Sequence, residues 1–139
     1  MIQILQPPGW PRPRGYSNGI AAKGGTTVYI AGQVAFNEKG VFEEKGFAGQ
    51  FRQTLKNILA VLAQAGGRPE HLVRMTWYVV DRQEYLDAIG EVGAAYRELI
   101  GRHYPTMAVV QVAGLVEIDA RLEIEAIAVV PDAKPAATS

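Results

Sequence analysis

Two carboxylates lie close together in the stretch of this chain that is best suited to form a buried strand. The stretch reads R-L-E-I-E-A-I-A-V-V-P and contains Glu123 and Glu125. Because side chains alternate along a strand, both glutamates are expected on one face, with Leu122 and Ile124 on the other. A carboxylate on such a strand is costly unless it is paired, hydrogen-bonded or used in a reaction. We therefore expect Glu123 or Glu125 to lie near the functional site.

The other residue types that commonly carry chemistry are scarce. There is no cysteine, which excludes disulfides, thiolate nucleophiles and cysteine-based metal sites. The two histidines are His71 and His103. Neither has a serine or an acid at a spacing that indicates a catalytic triad. Neither is expected to be catalytic: His71 is interpreted as an exposed residue in a turn before a strand, and His103 as a cation that suits the negative end of the second helix.

Composition and charge narrow the class of protein. The 139 residues fit one domain, and the apolar share of 48% and charged share of 20% are typical of a globular fold. Fourteen basic residues balance fourteen acidic ones, which disfavours binding to nucleic acid or to a membrane surface. No signal peptide is recognisable, and no apolar window approaches the ~18 residues of a membrane span. A cytoplasmic protein is expected.

The clearest element is a helix, predicted over residues 46–65. Its apolar residues recur every three or four positions and form one stripe. The stripe consists of Phe47, Phe51, Leu55, Ile58 and Leu62. Gly66 and Gly67 follow as the expected left-handed stop, and Pro69 prevents continuation of the helix.

A hairpin is predicted before this helix. The pair Gly24-Gly25 separates two β-prone runs, which suggests an antiparallel turn. The proline-rich leader, residues 1–15, cannot occupy the middle of a sheet because proline has no N–H. Trp10 in the leader is interpreted as a surface ring, with an aromatic lid over a cleft as the alternative. The single domain is expected over residues 16–131, with a flexible tail at 132–139.

A strand, a second helix and two more strands complete the predicted order. The strand covers residues 72–80. Asp81 and Glu84 resemble a capping box that begins a helix ending near Ile100. Two β-rich runs follow within residues 104–131. Helices that return the chain to a common sheet indicate an α+β fold, with a mixed sheet and two helices on one face.

The other face of the sheet has nothing in this chain to cover it. We expect that face to carry Val109, Gln111, Glu123 and Ile127. An uncovered apolar face on a chain of zero net charge predicts a subunit interface, most simply in a closed ring.

Five short motifs occur along the chain in a characteristic order. They are Gly-Tyr-Ser near the start, Gly32-Gln33, His103-Tyr104-Pro105, Gln111-Val112-Ala113, and I-E-A-I-A-V at residues 124–129. Together they resemble the RidA family, also called YjgF and formerly labelled L-PSP endoribonuclease. The likeness covers roughly residues 16–130. It implies a chorismate-mutase-like α+β subunit, a homotrimer with three clefts between subunits, and hydrolysis of reactive enamines and imines to ketones and ammonia.

The resemblance also assigns roles to residues. The family's catalytic glutamate, at the start of the E-x-E-A-I-A motif, matches Glu123, and the tyrosine after the first glycine matches Tyr16. A partly buried carboxylate can deprotonate a positioned water and deliver a proton to the departing nitrogen. Tyr16 would hydrogen-bond the imine nitrogen or the water. This chemistry implies neither a metal ion nor an organic cofactor.

Three pocket positions depart from the family pattern. The family arginine that clamps the substrate carboxylate is Met107 here, the serine before Gly-Gln is Ala31, and the cysteine two residues after the arginine is Val109. With Gly32, these residues are the expected substrate-binding positions. Without the guanidinium, the site lacks a bidentate charge-assisted contact. A neutral, more apolar ligand is therefore expected.

An acid could still be held if another cation reached the pocket. Arg12 and Arg14 of the leader are the candidates for that cation.

Three functions remain open. The first is an imine or enamine deaminase that acts on a small molecule of altered type. The second is a trimer that binds a small metabolite without chemistry, in which Glu123 would be a structural acid. The third and weakest is ribonuclease action, which the zero net charge and the lack of a Lys/Arg cluster disfavour.

Overall fold

The strands form two separate sheets. The computed structural model describes residues 2–133, so most of the predicted tail lies outside the described residues. The larger sheet has the order β3-β6-β4-β5. Its strands are β3 (Thr26–Gln33), β4 (Leu72–Val79), β5 (Thr106–Gln111) and β6 (Leu122–Val130). A small antiparallel pair is formed by β1 (Ile2–Leu5) and β2 (Gly19–Ala22).

Within residues 2–133, three α-helices accompany the larger sheet. They are α1 (Phe47–Ala63), α2 (Arg82–Asp87) and α3 (Ile89–Leu99). The predicted stripe of α1 is confirmed, since Phe47 is 6% exposed and the other four stripe residues are fully buried. Each such side chain contributes about 1.5–3 kcal/mol by its burial. Gly66 has a left-handed φ of 73°, as the predicted helix stop requires. No helix within residues 2–133 is both long and apolar enough to cross a bilayer.

The second predicted helix is interrupted. Ala88 has φ −98° and ψ 8°, which separates α2 from α3, so the prediction of one continuous helix was wrong. Asp81 does cap α2, because its Oδ1 accepts the backbone N–H of Gln83 at 2.9 Å. The capping box is incomplete, since the carboxylate of Glu84 instead accepts hydrogen bonds from the guanidinium of Arg121.

The predicted hairpin is not formed. β2 pairs with β1, whereas β3 pairs antiparallel with β6. Gly24 and Gly25 both have the left-handed φ that a tight turn needs. At Gly25, however, an added Cβ would collide with the carbonyl oxygen of Val130 at the end of β6. Gly25 is therefore needed because β6 passes close to its backbone, and not for the pairing of β2 with β3.

The faces of β6 agree with the predicted alternation. Its buried face packs against α1 and contains Leu122, Ile124, Ala126 and Ala128, none more than 3% exposed. The opposite side of the sheet is called the open face here. It carries Arg74, Thr76, Tyr78, Glu123, Glu125 and Ile127.

The expected position of β5 side chains was wrong. β5 runs parallel to β4 with Val109 opposite Trp77 and Gln111 opposite Val79. Since Trp77 and Val79 are buried on the helix side, Val109 and Gln111 lie on the helix side as well. A parallel pair requires a crossover connection, and α2 and α3 provide it.

Candidate functional site

The carboxylate of Glu123 lies over a bulge in β3. The pairing of β3 with β6 shifts register between Ile30 and Gln33, which places Ala31 and Gly32 within the bulge. An ideal Cβ at Gly32 would be 2.8 Å from the carboxyl carbon of Glu123 and 3.0 Å from its Oε2. The bare backbone of Gly32 therefore leaves the space that the Glu123 carboxylate occupies.

The two glutamates of the open face have different surroundings. The hydroxyl of Tyr78 donates a hydrogen bond to Glu125 Oε1 at 2.7 Å. This hydrogen bond is the main cause that raises the pKa of Tyr78, and burial and the charges of Glu125 and Glu123 add to it. Within residues 2–133, the Glu123 carboxylate has no hydrogen bond or ion pair. Glu125 is thus held by the hydroxyl of Tyr78, whereas the carboxylate of Glu123 is available to contact a ligand.

A cavity of about 460 Å³ lies beside β5, the edge strand farthest from β3. Tyr16, Met107 and Val109 line it, so three of the predicted site residues do meet. Its other lining residues are Arg14, Gly15, Trp77, Tyr85, Ile89, Val92, Gly93, Tyr96, Arg97 and Tyr104. This space is called the aromatic cavity below.

Packed aromatic rings form the walls of the aromatic cavity. Tyr96 and Tyr104 are stacked, with centroids 5.5 Å apart and planes at 4°. Trp77 meets Tyr85 edge to face at 6.0 Å. The hydroxyl of Tyr96 donates to the carbonyl of His103 at 2.6 Å. Burial of its ring, with a smaller effect of Tyr104, raises the pKa of Tyr96.

The leader reaches the aromatic cavity because it is tied to the start of β5. Ser17, which is 8% exposed, donates its hydroxyl to the carbonyl of Tyr104 at 2.5 Å. Its backbone N–H donates to the carbonyl of Pro105 at 3.1 Å. These two bonds place Tyr16 and Arg14 at the cavity. The sequence predicted Tyr16 as a site residue but did not predict that the leader is hydrogen-bonded to the start of β5.

The leader residues divide into one that lines the aromatic cavity and two that do not. Arg14 lines it, whereas Arg12 and Trp10 do not. Trp10 is 59% exposed, in agreement with the interpretation of a surface ring. Arg97 on α3 also lines the cavity and was missed by sequence reasoning. The one sequence feature that could have indicated Arg97 is its position next to Tyr96, which belongs to the predicted apolar stripe of that helix.

Both histidines are engaged in the fold. His103 Nε2 is 2.6 Å from the carbonyl of Leu72, and His71 Nδ1 accepts the backbone N–H of Arg68 at 2.9 Å. No group of three or more histidine or acidic side chains in the described part of the chain is placed to hold a metal ion.

The predicted site residues fall into two groups within one chain. Tyr16, Met107 and Val109 lie at the aromatic cavity, next to the edge strand β5. The other group, Ala31, Gly32 and Glu123, does not line that cavity and lies toward the opposite edge strand, β3.

Comparison with known proteins gives consistent matches over most of the chain. The family model described as Endoribonuclease L-PSP matches residues 11–130. A RutC family protein of Pyrococcus horikoshii is 32% identical over 130 residues, which cover 92% of this chain and 98% of that protein. The 2-iminobutanoate/2-iminopropanoate deaminase of Escherichia coli strain K12 is 32% identical over 108 residues, or 76% of this chain and 80% of the enzyme.

A solved structure shows the same fold. The Rid family protein YyfB of Yersinia pestis, described as a protein of unknown function, superposes with a TM-score of 0.80 at 31% identity. The match covers 93% of this chain and 98% of that protein. The α+β fold with helices on one side of a mixed sheet is therefore shared.

Proposed function

We infer that this chain, which belongs to the Endoribonuclease L-PSP family (also called RidA or YjgF), hydrolyses a reactive imine or enamine to a carbonyl compound and ammonia. The observation that carries this proposal is the unpaired carboxylate of Glu123, held over Gly32. The activity named for the Escherichia coli relative supports the reaction type.

The proposed site forms between two copies of the chain. The Glu123 group lies toward β3 and the aromatic cavity lies beside β5, and these are the two edge strands of one sheet. If one copy's β5 side meets the next copy's β3 side, each contact joins a cavity to a carboxylate. Such head-to-tail contacts close into a ring, and a homotrimer is the ring we propose.

The proposed reaction uses water as the only co-reactant. Glu123 accepts a proton from a bound water while the water oxygen bonds to the imine carbon. The same carboxyl gives that proton to the nitrogen, which completes a carbinolamine. It then carries the hydroxyl proton of the carbinolamine to the nitrogen, so that the C–N bond breaks and ammonia leaves as the carbonyl forms. Tyr16 would orient the imine nitrogen or the water by its hydroxyl.

The substrate is proposed to carry an apolar body. Met107 and Val109 line the aromatic cavity where a clamping arginine and a cysteine would stand in the family pattern. Apolar side chains at these positions favour contact with apolar ligand atoms. A substrate larger and more apolar than a two- or three-carbon imino acid therefore fits the cavity best.

The reaction is tested by competition for a released imine. An amino-acid oxidase generates imines from a panel of amino acids, and semicarbazide traps the imines that persist. The protein should suppress semicarbazone formation for at least one bulky apolar substrate, and Glu123→Gln should lose this suppression. Glu125→Gln is the matched control, because it removes a neighbouring carboxylate of the same face that is tied to Tyr78.

The two outcomes separate an enzyme from a binding protein. If wild type and Glu123→Gln are indistinguishable across the panel, the deaminase proposal is wrong. The alternative function, a trimer that binds a small metabolite without chemistry, would then remain. It predicts a thermal shift with an apolar carbonyl compound that Glu123→Gln leaves unchanged.

The site between copies has its own test. Tyr16→Ala and Glu123→Gln damage different halves of the proposed site, so each variant alone should be inactive. Co-expression of the two should restore about a quarter of wild-type activity, because one site in four would combine two intact halves in a head-to-tail ring. Activity that stays at the level of the single variants would show that both residues act within one chain. Light scattering of the wild type should give the mass of three chains.

Ribonuclease action remains the least supported function. Both histidines are occupied by backbone partners, as described above. The aromatic cavity is lined by two cations, where a nucleic-acid groove usually presents a cluster.

A further inference from the structure

The residues that line the aromatic cavity include two arginines and no acidic residue. We propose that it binds a small carboxylic acid with a bulky apolar or aromatic body, and that Arg14 and Arg97 hold the carboxylate. This inference names the substrate class of the site proposed above, and it rests on that proposed function for the claim that the bound acid is a substrate.

The charge of the aromatic cavity favours an anion. Among the described residues that line it, Arg14 and Arg97 are the charged ones, and both are positive. Neither makes a hydrogen bond or an ion pair within residues 2–133. The acid next to Arg97 in the chain, Glu98, is already bound by both terminal nitrogens of Arg52, at 2.6 and 2.7 Å. Two arginines without an ion-pair partner beside one concave apolar space favour the binding of an anion there.

The side chain of Arg97 is directed along α3 toward the aromatic cavity. An ideal Cβ at Gly93 would be 3.2 Å from Arg97 Nη1, so the guanidinium lies over this glycine one turn earlier in the helix. Gly93 itself lines the cavity. Long side chains on a helix normally lean toward its N-terminus, and this lean places the Arg97 guanidinium beside a glycine of the cavity wall.

The rest of the aromatic cavity suits an apolar body. Trp77 is 3% exposed and Val92 is 4% exposed, and both line the cavity with Met107 and Val109. The volume of about 460 Å³ lies within the usual range for small-molecule sites. The lining therefore favours contact with the apolar atoms of a ligand.

The two arginines are expected to act together with the apolar walls. Each guanidinium is exposed, so its contact with a carboxylate is weakened by water and salt. We expect each arginine to contribute about three- to tenfold in affinity. A small acid without an apolar body gains little from the walls and should bind more weakly than a bulky one.

The test is isothermal titration of the intact protein with phenylpyruvate, its methyl ester and pyruvate. Phenylpyruvate is expected to bind most tightly, with an affinity that falls as salt is raised. Arg14→Gln and Arg97→Gln should each weaken it by about three- to tenfold and leave the ester unchanged. Arg12→Gln and Arg102→Gln are matched controls, because both arginines are exposed and neither lines the cavity. Equal binding of acid and ester, or no effect of Arg14→Gln and Arg97→Gln, would overturn the inference.

A second measurement separates this inference from the proposed function. Glu123→Gln should keep the affinity for phenylpyruvate and lose imine hydrolysis. If the protein hydrolyses apolar neutral imines but neither binds nor hydrolyses apolar acids, the inference is wrong and the deaminase proposal stands. If both arginines bind phenylpyruvate but no imine is hydrolysed faster than by Glu123→Gln, the acid site stands as a binding site and the deaminase proposal fails.

Discussion

The substitution Gly32→Ala adds one methyl group directly beneath the Glu123 carboxylate. The new Cβ would begin 2.8 Å from the carboxyl carbon and 3.0 Å from Oε2. Carbon atoms in contact normally lie about 3.5–4.0 Å apart, so the carboxylate must move by about 0.7–1 Å. Gly32 does not have a left-handed φ, so alanine meets no backbone strain there. The expected perturbation is therefore a displaced carboxylate in an otherwise intact fold.

The expected result is a loss of activity without a loss of stability. Displacing a reacting group by about 1 Å costs on the order of a hundredfold in rate. The free energy of unfolding should change by less than about 1 kcal/mol, because the alanine restricts the unfolded chain while the flexible glutamate side chain yields. Activity is measured by semicarbazone competition with a bulky apolar imine, and stability is measured by urea denaturation.

Gly114→Ala is the matched control for this experiment. It makes the same chemical change at a glycine without a left-handed φ, where an added Cβ meets nothing within 4 Å. The control should keep wild-type activity. Full activity of Gly32→Ala would refute the reasoning that the position of Glu123 over Gly32 determines the rate. A large loss of stability in Gly32→Ala would show that the bulge cannot accommodate a side chain.

Three further predictions concern the fold. Leu55→Ala should lower the free energy of unfolding by about 2–5 kcal/mol in urea denaturation, because Leu55 is fully buried in the core. Gly25→Ala should cost about 1–3 kcal/mol or more in the same assay, because a left-handed φ of 73° is strained for alanine and its Cβ meets the carbonyl of Val130. Tyr96→Phe should cost about 1 kcal/mol at neutral pH through the lost hydrogen bond to His103. Burial raises the pKa of Tyr96 above its ordinary 10.0, so the stabilisation by its neutral hydroxyl is complete below pH 10.0 and is lost as pH rises through the folded-state pKa. The difference in unfolding free energy between wild type and Tyr96→Phe, measured by urea denaturation, should therefore become smaller in alkali. A difference that stays constant with pH would contradict this prediction.

Features that depend on residues near in sequence were predictable. The three-to-four spacing of Phe51, Leu55 and Ile58 was sufficient to predict α1 and its buried face. The two-residue alternation of β6 placed Glu123 and Glu125 together on the face opposite the core. The family resemblance was also readable, because it depends on short motifs and their order.

Features that depend on strand pairing were decided by the tertiary structure. The alternation of side chains along β5 does not indicate which of its two faces packs against the helices. Only the parallel pairing of β5 with β4 placed Val109 on the helix side. Gly24-Gly25 has the conformation of a hairpin turn, yet the competing partners β1 and β6 determined what β2 and β3 pair with.

The two halves of the candidate site show the same division. The sequence identified Glu123 and Glu125 as carboxylates on a strand otherwise fit for burial, which follows from alternation and the cost of burying charge, and the family resemblance selected Glu123. Only the folded chain showed that Gly32 provides the space for that carboxylate and that Arg97 joins Arg14 at the aromatic cavity. Those contacts join residues tens of positions apart, and local spacing carries no information about which distant backbone will pass close by.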